Sequence, residues 1–323
     1  MKQDFRTEEL QAALEGALGF RISSMTRLDG GCALNFRAVR AGDGYAFSVK
    51  CSPPERQELF EHLVRHLADL KGTKAVRRVF EESCPPTFRG YNVLCLDWCR
   101  GERRFPDTLS DSELRDFLDD YLAFSDAMQR TSRTMARLPF AKMREDVLGN
   151  CRGLGGWLLR RLVGELVPAK DVEYDIARVR LIHGDFHHGN FLFADGRVTG
   201  YFDLEEFRKG YPAEDIVRYF VCAAEHLRWY DARRRRRIMA QFGAAVRRLP
   251  YPPGDWRLAV SGFLLQKVYK NAGARPPGLF RALNLCFRAR LYRRLLRIVG
   301  EALGDGRAPA PEHRRNADAG IMV

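Results

Sequence analysis

The apolar residues of this chain change their spacing near residue 100. Before it they fall in short runs of period two around glycine turns, and after it they recur at helical intervals. A chain patterned this way is expected to be α+β, with a small antiparallel sheet followed by a mostly helical body. Residues 22–28, 34–39 and 45–49, separated by Gly30-Gly31 and by Gly42 and Gly44, read as an antiparallel meander. Pro53 and Pro54 close it, and Leu59, Leu63, Leu67 and Leu70 then predict a helix over 55–70. Residues 79–80 and 91–98 read as two more strands, with turn residues at 84–87 between them. Helical spacing returns over 111–130, 158–167, 216–227, 233–248, 256–271 and 279–303, interrupted by strand-like pieces in 180–202. No linker separates the halves, so the change is expected to mark a hinge at 95–101 inside one two-lobed unit. An N-terminal lobe would span 1–100 and a C-terminal lobe 102–307, and the small polar residues of 308–323 are expected to be a disordered tail.

Composition narrows the function classes. The 323 residues are 46% hydrophobic and 29% charged, enough for one or two cores. No apolar run approaches the roughly 20 residues a membrane-spanning helix needs, and acidic residues stand where a secretory leader would be apolar. Neither insertion nor export is expected. The cysteines, at 32, 51, 84, 95, 99, 151, 222 and 286, form no C-x-x-C pair and no framework spacing, so a reducing cytoplasm is the expected compartment. The net charge of +13 is uneven: residues 226–323 hold 21 Lys+Arg against 6 Asp+Glu. Such a basic segment suits phosphates, anionic lipid heads or nucleic acid, or is a set of solvated helix faces.

The densest chemistry lies in LIHGDFHHGNFLF (His183, Asp185, His187, His188, Asn190), followed by YFDLEEF with Asp203, Glu205 and Glu206. Three readings compete. Three histidines and a carboxylate would suffice for zinc, but His183 and His187, though four apart, have Gly184 where the helical H-E-x-x-H motif has its glutamate. The set could instead be polar loop residues satisfying turn backbone. The third reading is phosphoryl transfer, which consists of positioning and charge neutralisation. Asp185 would orient an acceptor hydroxyl and take its proton. Asn190, five residues on, would supply a neutral oxygen to Mg²⁺, and Asp203, after the following strand, would hold the metal bridging the phosphates.

H-G-D-x-x-x-x-N followed by a strand ending in Asp resembles the aminoglycoside phosphotransferase and choline kinase branch of the protein-kinase-like fold, and the resemblance covers most of 28–220. It implies a bilobal fold, ATP as co-substrate and Mg²⁺ as cofactor, with an alcohol group as phosphoryl acceptor. It also implies that Asp215, in GYPAEDIVRYF, braces the catalytic loop, with a helix N-cap before Ile216 as the alternative. Glu205 is either a secondary metal ligand or a solvated loop charge. In the N-terminal lobe Gly30 and Gly31 would let backbone N–H groups approach phosphate, and Lys50 matches the phosphate-contacting lysine. Glu55, Glu58 and Glu61 on the next helix are candidates to pair with it, and Glu58 is the choice. VLCLDWCRG resembles the hinge, with adenine against backbone groups near Asp97 and Cys99 and Trp98 either nearby or in the core.

The acceptor is expected from the C-terminal region. Relatives that take cationic acceptors use acidic pockets, whereas this chain has RRRRR at 233–237 and arginines at 281, 288, 290, 293, 294 and 297, which favours an anionic sugar or glycoconjugate over an aminoglycoside. Phe280, Leu283, Phe287, Leu291, Leu295 and Ile298 trace an apolar face beside those arginines. It would either rest on the inner face of a membrane or face the core. The other function classes are a catalytically silent kinase-like module that binds a nucleotide or partner, and a basic nucleic-acid-binding protein. The first is disfavoured by the full set Lys50, Asp185, Asn190 and Asp203, the second by the lack of a recognition motif. Protein-kinase activity is disfavoured because no A-P-E follows Asp203.

Overall fold

The computed structural model describes residues 5–28, 33–70, 73–129, 140–150, 153–167, 178–228, 231–272 and 279–304. The turn at Gly30-Gly31 and the expected tail 308–323 lie outside these. Helix α1 (Thr7–Leu18), which the sequence reading did not assign, lies against a five-stranded antiparallel sheet: β1 (Ile22–Leu28), β2 (Leu34–Arg40), β3 (Ala46–Ser52), then α2 (Gln57–Asp69), β4 (Thr87–Phe88) and β5 (Tyr91–Asp97). The strand order is β1-β2-β3-β5-β4. Period two decides what each face does. Phe47, Val49 and Cys51 of β3 are fully buried, in a core shared with Leu10 and Leu14 of α1 and with Phe36 of β2. Ser48, Lys50 and Ser52 point the other way, into a cleft. Lys50 therefore sits inside β3, opposite Asn35 on β2 and Leu94 on β5, rather than at the strand end.

The expected strand at 79–80 is absent. Phe80 has φ 56°, left-handed backbone that interrupts an extended run, and its ring stands edge-on to Phe47 at 5.1 Å. Pairing of this segment with β5 is limited to a bridge between Arg78 and Leu96, with the Val79 N–H donating to the Cys95 carbonyl at 3.0 Å, and the short strand paired with β5 is β4.

Helices dominate the rest: α3 (Asp111–Met128), α4 (Phe140–Asn150) and α5 (Gly153–Leu166) precede the strands β6 (Arg180–Ile182), β7 (Phe191–Ala194), β8 (Arg197–Tyr201) and β9 (Arg208–Gly210). Then come α6 (Pro212–His226), α7 (Ala232–Arg248), α8 (Pro253–Ala272) and α9 (Leu279–Ala302). Strand β6 pairs with β9, and β7 with β8 in a hairpin. A second core fills this body and reaches into the sheet side through Leu63 and Leu67 of α2 and Leu94 and Leu96 of β5. Backbone bonds stitch the two parts together. Glu102 and Phe193 exchange N–H···O bonds at 2.9 Å, and the Val76 N–H donates to the Tyr201 carbonyl at 2.8 Å.

The basic C-terminal helices are committed to packing. In α7, Arg234 pairs with the buried Asp107 at 2.5 Å, Arg237 donates to the Leu109 carbonyl, and Arg235 covers the Leu227 and Arg228 carbonyls after α6. In α9, Leu285, Ala289, Tyr292, Leu295 and Val299 are buried, and α9 packs against α5, α7 and α8. Of the expected apolar stripe, Leu295 is buried and Leu291 and Ile298 pack partly buried against the core, which matches the core-facing reading for these three, while the Phe280, Leu283 and Phe287 side chains lie outside the described ones. Among the described residues no helix is long and apolar enough to cross one.

Gly101, just after β5, has φ +126°, and a Cβ there would stand 2.3 Å from the Phe193 carbonyl oxygen. Gly101→Ala should therefore cost about 1–3 kcal/mol of unfolding free energy, the range for a forced backbone conformation, read as a lower midpoint in urea denaturation.

Candidate active site

Between the sheet and the helical body lies a cavity of about 610 Å³, within the usual range for small-ligand sites. Leu28, Val76 and Leu96 line it from the N-terminal side and Leu192 and Phe202 from the other, an apolar slot of the kind that takes a flat heteroaromatic ring. Lys50 from the sheet side and Asp185, Asn190, Asp203 and Glu205 from the helical body also line it.

The β7–β8 hairpin is what gathers the middle residues. Asn190 immediately precedes β7 and Asp203 lies two residues past β8. The Phe202 N–H donates to the Asn190 carbonyl at 3.0 Å, closing the base of the hairpin. Before it, the 183–190 loop is anchored from below by Phe186. That ring is fully buried, with centroids 4.7 Å from Phe191 and 4.9 Å from Tyr121. His183 is buried too: its Nε2 lies 3.0 Å from the Phe202 carbonyl and so carries the proton, while Nδ1 accepts from the Asp185 N–H at 3.4 Å. Gly184 has φ +79°, and a Cβ there would stand 2.1 Å from the Glu206 carbonyl oxygen, so only glycine permits this approach. Asp215 accepts the His183 and Gly184 N–H groups at 2.8 and 2.9 Å. It lies within α6, whose N-cap is Tyr211, so of the two alternatives for Asp215 the geometry matches the loop brace. Burial raises its pKa above the carboxylate range, partly offset by the nearby His183 and these amide bonds.

Asp185 is clamped. Its Oδ1 accepts from Arg218 at 2.9 Å, and its Oδ2 from the Asn190 amide at 3.1 Å, with His187 Nε2 at 3.4 Å. Burial pushes its carboxyl up, but the His187 bond and the Arg218 charge outweigh this and hold it well below the usual range. The Asn190 amide nitrogen also donates to the Asp185 carbonyl at 2.9 Å, leaving its side-chain oxygen as the free end.

Lys50 is 5% exposed, and its ammonium meets Asp203 Oδ1 at 2.6 Å and also Glu205. Burial works against its charge, yet the two carboxylates more than reverse that and raise its pKa. Glu58, expected as its partner, is instead exposed on α2. Carboxylates brought in by the 203–206 turn satisfy the ammonium from the opposite side of the cleft. Glu205, being in this ion pair and mostly buried, is no solvated loop charge. Asp203 holds a left-handed conformation, φ 57° and ψ 51°, uncommon for a residue with a side chain. One cation faces two carboxylates, and the Asp203 side chain stays 48% exposed to the cleft. That surplus negative charge, with the Asn190 oxygen beside it, fits a hard divalent cation completed by phosphate and water oxygens. The zinc reading fails: His183 faces the core and His188 stacks on Phe105 at 4.1 Å, and among the described residues no cluster of three or more His, Cys, Asp or Glu could hold a metal.

In the expected hinge segment, the Asp97 side chain accepts from Tyr45 at 2.9 Å and Arg77 at 2.7 Å, and its N–H donates to the Arg77 carbonyl at 2.8 Å. Cys99 packs against Gly200, where a Cβ would meet its sulfur at 2.2 Å. Trp98 lines the cavity with Arg37 5.3 Å from its ring. The residue that sequence reasoning missed is Arg218. Its only signal was a lone arginine three residues after Asp215.

Asp215→Ala would orphan two buried amides, so a loss of about 2–5 kcal/mol is expected in thermal unfolding, and a smaller one for Asp215→Asn, which keeps an acceptor. His188 provides a pH test. Burial, with His187 and His226 adding, lowers its pKa from 6.5 to about 4. The unfolded chain therefore takes up a proton that the folded one refuses, and stability should fall as pH drops from 6.5 towards 4. His188→Gln should flatten that stretch of the curve of melting temperature against pH.

No curated protein sequence matches the chain. Among solved structures, amicoumacin kinase hAmiN in complex with AMP-PNP, Ca²⁺ and Ami has a TM-score of 0.58 at 12% identity, covering 93% of this chain and 97% of its own. Spectinomycin phosphotransferase APH(9)-Ia with ADP and spectinomycin gives 0.56 at 14%, covering 93% and 99%. A thermostable mutant of aminoglycoside phosphotransferase APH(4)-Ia with AMP-PNP and hygromycin B gives 0.58 at 16%, covering 92% and 99%. At these identities the likeness establishes the two-lobed protein-kinase-like fold. The sequence model of the phosphotransferase enzyme family matches residues 24–252, from β1 through the whole catalytic-loop region, and the chain therefore belongs to that family of enzymes.

Proposed function

We propose that this enzyme transfers the γ-phosphoryl group of ATP to a hydroxyl of a small molecule, in our reading a sugar or glycan carrying an anionic group. The observation that carries this is the convergence of Lys50, Asp185, Asn190 and Asp203 on one cleft that also has an apolar lining. Adenine takes the slot lined by Val76, Leu96 and Leu192, against the backbone near Asp97 and Cys99. Gly30 and Gly31 belong to the phosphate-facing turn in this reading, though they lie outside the described residues. Lys50, kept protonated by Asp203 and Glu205, offers a permanent cation to the phosphates. Asp203 and Asn190 hold Mg²⁺, with Glu205 as an accessory group, and Mg²⁺ when bound neutralises charge on the phosphates. Asp185 orients the acceptor hydroxyl and takes its proton as the new P–O bond forms, while Asp215 keeps the loop in place. Two relatives were solved with AMP-PNP and one of them also with Ca²⁺, which supports an adenine nucleotide with a divalent cation.

The anionic acceptor no longer rests on the arginines of α7, which dock that helix. Its support is the set of cations nearer the site, Arg56 and Arg103 at the cavity and Arg218 on Asp185. We place the enzyme in the reducing cytoplasm and do not extend the proposal to a membrane.

Asp203→Ala should abolish both phosphoryl transfer and the rise in melting temperature that Mg–AMP-PNP gives the wild type. Asp185→Asn should keep that rise while transfer falls by about 10²–10⁴-fold. Transfer is read as labelled phosphate moved from ATP onto hydroxylated metabolites and phosphosugars. Undiminished transfer in Asp203→Ala would refute the assignment.

A further inference from the structure

Behind Asp185, helices α6 and α8 meet along a polar seam. Arg218, Cys222 and Glu225 fall at i, i+4 and i+7 on α6, one face of that helix. Phe263, Gln266 and Lys267 of α8 meet them. Arg218 Nη1 donates to Asp185 Oδ1 at 2.9 Å and Nη2 to Gln266 Oε1 at 3.2 Å, and its guanidinium carbon stands 5.0 Å from the Phe263 ring centroid. Lys267 lies 5.3 Å from the same ring and 3.0 Å from Glu225, which also accepts from Tyr292 at 3.2 Å and faces Arg288 at 3.6 Å. Glu225 is thus saturated by its neighbours, and the seam holds Arg218, Lys267 and Arg288 against Asp185 and Glu225. The family match ends at residue 252, before α8, so half of this seam belongs to a part of the chain the family pattern does not describe.

Arg218 has a consequence for the reaction. Each oxygen of a carboxylate accepts about two hydrogen bonds: Asp185 Oδ2 already takes two, from Asn190 and His187, and Oδ1 takes one from Arg218, so the hydroxyl must share Oδ1 with a guanidinium that crowds it and neutralises its charge. Arg218 is also mostly enclosed, its side chain 14% exposed, so pulling it off Asp185 without a replacement anion would leave a poorly solvated charge unpaired, which is costly. A neutral or cationic acceptor offers no replacement. An acceptor bearing a carboxylate or phosphate does, exchanging one ion pair for another, and the guanidinium fork has donors left for it.

We propose that Arg218 is the specificity-determining residue on the acceptor side. It binds an oxyanion, carboxylate or phosphate, carried by the acceptor near the reacting hydroxyl, and that binding releases Asp185 Oδ1 for the hydroxyl. This rests on the phosphotransferase reading above and adds the residue that selects the acceptor. In the absence of such an anion Arg218 latches Asp185, and neutral hydroxyl compounds are poor acceptors.

The test is calorimetric titration of inorganic phosphate into the wild type, Arg218→Met and Arg218→Lys, each saturated with Mg–AMP-PNP so that the nucleotide's own phosphate contacts are filled. The wild type should bind phosphate at millimolar concentrations, Arg218→Met at least about tenfold more weakly, the lower end of what a charge-assisted hydrogen bond contributes, and Arg218→Lys in between. Equal affinity in all three, or no phosphate binding to the wild type, overturns the proposal. Thermal melts establish that each variant is folded. Failure of the wild type to bind Mg–AMP-PNP would count against the phosphotransferase reading alone, because the difference between wild type and Arg218→Met is then read in the nucleotide-free protein.

Discussion

The ion pair that Lys50 makes with Asp203 and Glu205 ties the sheet to the helical body at the place where chemistry would occur. An ammonium 5% exposed in the middle of β3 would be prohibitively costly alone. Its two partners come from a turn more than 150 positions later, so the cleft cannot keep this geometry unless both parts are folded and docked. The same pairing leaves a net negative charge at the cleft wall. In the proposed function that charge is where the cation would be held and Lys50 what would meet the phosphates.

Around that pair the structure spends its apolar packing on holding one loop still. Phe186 points into an aromatic layer with Phe117, Tyr121, Phe191 and Tyr219, while the neighbouring Asp185 points to the cleft. From the other side Asp215, itself bonded to Tyr121 at 3.3 Å, takes the two amides that begin the loop. A loop fixed at its start by a buried carboxylate, at its middle by a ring and at its end by a hairpin has little freedom to misplace its polar groups. Preorganisation here is a property of the second layer of residues.

The arginines separate into two populations with different work. Arg234 of α7 and Arg293 of α9 neutralise Asp107 and Glu165, and Arg235 covers helix-end carbonyls, so part of the charge that dominates the composition is spent on assembly. Arg218, unremarkable in the sequence, is the one bonded directly to Asp185. The net charge says nothing about which cations remain uncommitted after packing.

Several features were legible because they are local. Alternation along β3 puts Lys50 on the face opposite Phe47 and Val49 whatever the rest of the chain does. Asp185 and Asn190 lie close enough in sequence that one loop must hold both, and Asp203 follows a hairpin too short to carry it away. Helical spacing likewise marked α2, α3 and α6 to α9. Other features depended on packing between distant segments. Glu58 looked like the partner of Lys50 because it is near in sequence, whereas the docking of the 203–206 turn supplied closer carboxylates. The strand at 79–80 gave way to a left-handed turn that seats Phe80 on the sheet core. Whether Asp215 capped a helix or braced a loop, and whether the apolar face of α9 met lipid or core, turned on which surfaces came together. Periodicity assigns a residue to a face of its own element, but what that face meets is decided by the pairing of elements, which is a cooperative property of the whole fold.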